Sequence, residues 1–413
     1  MNSQIKTKKQ RQYFIDWLRI GLIISVFFFH IGMIFNPWGW HVKSEETFYF
    51  LEPIMHWLHL WRMPLLFLVS GVGTFYALGF RTTKQYLKER FTRLFIPFII
   101  GVIVLVPIQV YIEKIDQFSS LGNFYTHMFE GIYPIGNFSW HHLWFILYLL
   151  VISLIISPFI KYTRSGHFNM VRGKLITIAS KKMGLNWVFP IIIGSQLILR
   201  QYFPDSTHAL YNDWAYMTFY LLFFIIGFVL FTSDKVIQAV ANQRRLYVLQ
   251  TFVFTILMFS FWIFEINIIG KSYIYPITEM IIALSCGLAV IGYCKVYFNK
   301  EHKFRKFLNT AIYPFYLLHQ PIIIVVGYVI LQWQLPVAVK AILITLVSLL
   351  FTIGLYWIIS KFNILRIVFG MKKKAPKKSL VPHSTFVNSQ TVQLQLIVVQ
   401  STEKIKPNKN ESI

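Results

Sequence analysis

FIDWLRIGLIISVFFFHIGMIF, residues 14–35, has the length and apolarity of a membrane-spanning helix, yet it carries Asp16, Arg19 and His30. A bilayer core of roughly 30 Å takes about 20 helical residues. An ionisable side chain inside it costs roughly 2.5–3.5 kcal/mol on insertion scales, so such groups face the bundle interior or a wet cavity. From Arg19 to His30 a helix turns about 1,100°, returning to within about 20° of its start, and rises roughly 16 Å. Arg19 and His30 therefore share one stripe. Asp16, one turn before Arg19, is placed to pair with it. Counted from residue 14 at the inner surface, Arg19 lies about 7 Å deep and His30 roughly 24 Å, near the outer leaflet. The stripe is expected to join a cationic inner mouth to a titratable outer site.

The rest of the chain is of the same kind. Its 413 residues are 56% hydrophobic, 18% aromatic and only 14% charged, with mean hydropathy +0.55, far from soluble globular composition. Ten apolar stretches read as spans: 14–35, 53–79, 94–112, 142–160, 187–202, 214–232, 246–267, 276–298, 310–332 and 338–360. The fold class expected is an all-α, polytopic membrane bundle of about ten helices. With the N-terminus inside, the inner segments hold 32 of the 40 Lys and Arg residues, and the outer loops hold Lys43, Lys114 and Lys271. The remaining five lie in or at the ends of spans. That bias places both termini in the cytoplasm of a multi-pass cell-membrane protein. The net charge of +24 is thus a matter of topology; a nucleic-acid partner would need these residues gathered on one soluble face.

The basic N-terminus followed by an apolar run reads as a retained first helix, because the run exceeds a signal peptide's h-region and no small-residue cleavage site follows. The organisation expected is a cytoplasmic N-terminus (1–13), one transmembrane domain (14–370) and a disordered cytoplasmic tail (371–413). Within that tail TVQLQLIVVQ, residues 391–400, alternates as a half-buried strand would. Cys286 and Cys294 sit roughly 80° apart on one span and suggest neither a disulfide nor a metal site.

Other spans also keep ionisable groups. HWLHLWRMPLLFLVSGVG, residues 56–73, places His59 about 9 Å below the outer surface and Arg62 one turn deeper. His59 and His30 are expected to share a level. Arg90 and Arg93 in KERFTRLFIP stand at the inner surface, on one face if the third helix begins early, either as guanidinium forks suited to phosphate or as arginines that only set topology. YPFYLLHQP, residues 313–321, buries His319, as a structural or a functional histidine, just before Pro321, which loosens the helix there. The outer loops, NPWGWHVKSEETFYFLEP (36–53) and residues 113–141 ending in NFSWHH, are rich in Trp, His and amides. Such side chains stack on sugar rings and bond hydroxyls, although interfacial Trp and Tyr are also ordinary belt residues. No P-loop, Ser-His-Asp elbow or HExxH site is present, and the His56/His59 and His141/His142 pairs lack an evident third metal ligand.

Arg19, ten residues and then His30, with Arg90-x-x-Arg93 before the third span, resembles the membrane-bound acyltransferase-3 family. More narrowly, RQYFIDWLRI, FFFHIGMIF, WHVKSEE, LHLWRMPLLFLVSG, HHLWFILYLLV and YPFYLLHQP resemble its glucans biosynthesis protein C branch. The resemblance covers nearly all of the membrane domain. It implies transfer of an acyl group, acetyl or succinyl, from cytoplasmic acyl-CoA to a hydroxyl of an extracytoplasmic glycan, with no bound cofactor and no metal. Membrane lipid, acyl-CoA and the glycan are then the partners. Carried over residue by residue, His30 is the catalytic histidine with Arg19, and Arg90 and Arg93 bind the donor. Asp16, His59, Arg62, Trp144 and His319 support the site or face the acceptor. The outer loop's Trp38 and Gly39 fall where such proteins vary.

A neutral imidazole at this position suits a general base or an acyl-carrying nucleophile, and Arg62 suits a developing oxyanion. The competing reading is a secondary transporter or flippase for a glycan or lipid-linked substrate, since intramembrane His and Arg also line transport paths. No paired broken helices of the transporter kind are evident in the sequence. A scaffold would leave Arg19 and His30 without purpose.

Overall fold

The computed structural model describes residues 12–263 and 271–374. The chain divides into two units, Met1–Lys372 and Lys373–Ile413, and of the second only Lys373 and Lys374 are described. The strand-like stretch 391–400 and nearly all of the tail expected to be disordered lie outside the described residues. Among the described residues the fold is helical, with one isolated bridge between Ile132 and Phe138.

The helices that matter here are α1 (Tyr13–Phe35), α2 (Leu51–Leu78), α3 (Thr83–Glu113), α4 (His141–Ile160), α5 (Val188–Leu199), α6 (Trp214–Val229), α7 (Asp234–Asn242), α8 (Arg244–Ile263), α9 (Lys271–Tyr297), α10 (Arg305–Leu331) and α11 (Val337–Ile359). Seven of them, α1 to α4 and α9 to α11, are long and apolar enough to cross a membrane, and α6 with α7 makes an eighth if that bent pair is one span. These seven meet seven of the ten expected stretches. The other three differ, two of them for reasons of length. With 12 residues, α5 reaches only about 18 Å. With 16, α6 reaches about 24 Å before the chain bends 110° into α7. The 20-residue α8 runs up to the undescribed residues 264–270, where the stretch 246–267 ends. The peripheral α11 turns Leu346, Leu350, Phe351 and Trp357 outward, as a helix solvated by lipid does.

Two glycines let the bundle close. α2 and α6 form its most extensive helix contact, and they cross where Gly71 faces the Phe224 carbonyl and Gly227 faces the Leu68 carbonyl. A Cβ at either position would overlap the facing backbone, so the approach is available to glycine alone. Prolines shape the site helices. In α3 the segments Phe91–Phe95 and Gly101–Leu105 are π-helical, each ending one residue short of a proline, Pro97 and Pro107, with Ile96 and Val106 between. A proline ring collides with the carbonyl four residues back, and a wider π turn removes that collision.

At the far end of α1 the chain folds back over the helix. Ser44 N–H donates to the Ile34 carbonyl at 3.0 Å and Phe48 N–H to that of Phe35 at 2.7 Å. Lys43 Nζ donates to the Met33 carbonyl at 2.8 Å and to the Asn36 carbonyl, satisfying orphan acceptors of the last turn. This reversal lays Trp40 against His30.

Candidate active site

α1 packs between α2 and α10, so its polar stripe faces both. At the Arg19 end, Arg19 Nη1 donates to Asn309 Oδ1 of α10 at 3.5 Å, and its other Nη approaches Gly73 of α2. Arg90 donates to the hydroxyl of the neighbouring Thr74 at 2.9 Å and lies over the Tyr86 ring. Arg93 reaches Glu89 at 3.3 Å with its side chain 44% exposed. Arg19 lies within electrostatic range of both Arg90 and Arg93. The chain closes on this cluster again at Gly370, in the left-handed region (φ +67°), where a Cβ would strike Tyr313 and crowd the Arg93 carbonyl. The carboxylate of Asp16, expected to pair with Arg19, is held by Arg305, a 1%-exposed residue that also binds Glu301 at 2.8 Å.

The His30 end is built of rings. His30 Nδ1 lies 2.8 Å from His319 Nε2, and His319 Nδ1 lies 2.6 Å from the Tyr316 carbonyl. A carbonyl only accepts, so His319 carries its proton on Nδ1 and presents a lone pair at Nε2. His30 must then donate from Nδ1, which leaves its Nε2 as the unprotonated nitrogen. Among the described residues nothing hydrogen-bonds that Nε2. Trp40 stacks on His30, with centroids 6.0 Å apart and planes at 11°.

Phe29 separates two sets of polar groups. Its ring is 5.7 Å from His30 and 5.9 Å from His59, with the Arg62 guanidinium 4.0 Å above it. Phe29 thus stands between His30 and His59, and His59 faces His208 at 6.5 Å. Arg62 is 2% exposed, and its Nε and Nη1 have no hydrogen-bond partner among the described residues. Its charge reaches both His30 and His319. Trp144 stacks on His208 at 4.2 Å. In the loop before α6, burial pushes the His208 imidazole down to about 4 and the Asp213 carboxyl up to about 6. At neutral pH His208 is thus uncharged and Asp213 mostly ionised.

Pro321 has a further effect. Lacking an N–H, it leaves the Leu317 carbonyl without its helical donor, and His142 Nε2–H donates there at 3.1 Å. His142 Nδ1 is left as a buried acceptor with no partner among the described residues. Beside it, His41 Nδ1–H donates to Glu113, and Tyr133 O–H donates to the same carboxylate at 2.9 Å.

A family profile described as an acyltransferase domain, acyltransferase-3, matches residues 12–361. The chain belongs to the acyltransferase-3 family. It is similar to glucans biosynthesis protein C of Escherichia coli (strain K12), 24% identical over 343 residues that make up 77% of this chain and 83% of the relative. The protein of that name from Salmonella schwarzengrund (strain CVM19633) is 23% identical over 395 residues, 89% of this chain and 97% of that protein. No solved structure matches.

This acyltransferase-3 protein is a multi-pass membrane acyltransferase. The sequence named Arg19 with His30, His59 with Arg62, Arg90 with Arg93, and Trp144 and His319 by themselves; the structure gathers them toward the two ends of one helix. It missed Trp40, His41, Glu113, His142 and His208. The signals available were the Trp- and His-rich loop compositions and Pro321, which announced a free carbonyl without saying which side chain would take it.

Proposed function

We propose that this acyltransferase moves an acyl group, acetyl or succinyl, from acyl-CoA at the Arg19 end of α1 to a hydroxyl of an extracytoplasmic glycan at the His30 end. The observation that carries the reading is the His30–His319 hydrogen bond, which leaves His30 Nε2 with an unshared lone pair on the stripe that begins at Arg19. Arg90 and Arg93 hold the donor's phosphates through charge-assisted bonds. Arg62, a buried cation whose Nε and Nη1 have no hydrogen-bond partner among the described residues, stabilises the oxyanion. His59, Trp144 and His208 wall the acceptor side, and Asp16 fixes the start of α1 through Arg305. That the similar proteins are named for glucans biosynthesis supports a glycan acceptor.

The lysine and arginine bias supports ten spans in the cell membrane with both termini cytoplasmic, α5, α6 and α8 completing the seven long helices. Reporter fusions at residues 45 and 375 are expected to report opposite sides; the same side for both would overturn this topology. The function itself is tested by mass spectrometry of envelope glycans from cells with and without the gene, alongside labelled acyl-CoA turnover by purified protein in vesicles. Acylated glycan that disappears with the gene is the expected result. Glycan unchanged, or transport of a glycan with no release of CoA, would overturn it in favour of the transporter or flippase.

A further inference from the structure

The hydrogen bonds around His30 create a need for a second base. Its Nδ1 holds a proton against His319, so Nε2 is the one lone pair available. If Nε2 attacks the thioester, the C–S bond breaks, CoA departs as a thiolate that solvent protonates, and His30 becomes an acyl-imidazolium. No lone pair then remains on that ring to take a proton from an acceptor hydroxyl.

We infer that His41, paired with Glu113, is the base that deprotonates the acceptor hydroxyl while His30 carries the acyl group. This rests on the acyl-transfer function proposed above. His41 follows Trp40, the indole stacked on His30, and its own ring lies 5.5 Å from that indole. Its Nδ1–H donates to Glu113, whose carboxylate also receives Tyr133 O–H at 2.9 Å, so the unprotonated nitrogen is Nε2. What faces Nε2 is the amide of Gln320 at a long 3.4 Å, itself anchored by donating to Gln109 at 2.9 Å. A bond that long yields readily to a hydroxyl. The imidazole is shielded, with 5% of its side chain exposed, whereas Glu113 is 25% exposed and gives the proton a way out. The other titratable groups near it are His141 and Tyr133, with rings 4.5 Å and 6.1 Å from His41, and His30 and His142 within electrostatic range. In the second step the hydroxyl oxygen bonds to the acyl carbon and its proton passes to His41 Nε2. The C–N bond breaks, the electron pair returns to His30 Nε2, and Nδ1 keeps its proton throughout. The sum is ester and CoA thiol, the proton that His41 returns to solvent balancing the one that the thiolate took from it.

The experiment compares two acceptors in vesicles supplied with acetyl-CoA or succinyl-CoA: glycan extracted from envelopes of cells lacking the gene, and hydroxylamine, a nucleophile that needs little base assistance. His41→Gln and the more conservative Glu113→Gln are expected to lower the ratio of glycan rate to hydroxylamine rate by roughly 10²-fold or more. A burst of CoA matching the enzyme present should persist in both variants. A ratio unchanged in Glu113→Gln, whether both rates survive or both fall together, would overturn the assignment and make the pair structural. Wild-type protein that acylates neither acceptor would instead overturn the function proposed above.

Discussion

At its first turns α1 meets cations that the protein itself satisfies: Arg305 closes on Asp16, Arg19 reaches Asn309, Arg90 donates to Thr74 and Arg93 to Glu89. Toward its last turns the pattern reverses. There Arg62 is buried with Nε and Nη1 unpartnered among the described residues, while the imidazoles of His30, His319 and His142 are oriented by one another and by backbone carbonyls. The first arrangement suits a large anion that arrives from water, because a phosphate exceeds a neutral hydroxyl or amide as a partner for guanidinium. The second suits chemistry, because each carbonyl fixes where a ring keeps its proton. One helix thus presents binding at one end and a chosen lone pair at the other.

The sharpest way to break this contrast is at His30. His30→Ala is expected to insert and fold, since losing a polar group from a span does not hinder insertion, and to lose acyl transfer toward the upper end of the roughly 10²–10⁴-fold range of such groups. Turnover of labelled acyl-CoA in vesicles measures it. A near-normal rate would remove the chemistry from this end of α1. Next in size is His319→Ala, which leaves His30 free to adopt either tautomer. A fall of about 10²-fold in kcat, with KM for the donor unchanged, is expected. An unaltered kcat would mean that the hydrogen bond does not select the reacting nitrogen.

How much of this was legible in the sequence differs between the two ends. Helix period alone put Arg19 and His30 on one stripe, and α1 carries both as a continuous helix from Tyr13 to Phe35. Period gives depth along a helix and says nothing of which helix stands beside it. His319, 289 residues further on, is therefore the partner that the pattern left unassigned. The same limit explains His59: its depth matched His30, but Phe29 stands between them. The span count diverged where the helices fell short, since hydropathy registers the apolarity of residues 187–202 but not that only Val188–Leu199 is helical.

At the donor end the effects should be smaller and fall on affinity. Arg93→Ala removes an exposed guanidinium, so the expected loss sits near the low end for charge-assisted bonds, about 10-fold in donor Kd with kcat unchanged. Titration of the variant with acyl-CoA checks it. A drop in kcat without a change in Kd would place Arg93 with the chemistry and blur the division along α1.

The smallest expected effect has the opposite sign. Glu89 accepts from Arg81 at 2.9 Å and from Arg93 at 3.3 Å, and its side chain is 23% exposed. It thus competes with an incoming phosphate for Arg93. An exposed pair of this kind contributes roughly 0–1 kcal/mol, so the competition is worth a few-fold at most. Glu89→Gln should tighten donor binding by about 2- to 5-fold at low salt, and the gain should fade as ionic strength rises and screens the phosphates. Measuring Kd for acyl-CoA at two salt concentrations distinguishes this from a change in fold, which salt would not erase. If Glu89→Gln weakens donor binding instead, then Glu89 holds Arg93 in the geometry that the phosphate requires, and the cations at this end are positioned as strictly as the rings at the other.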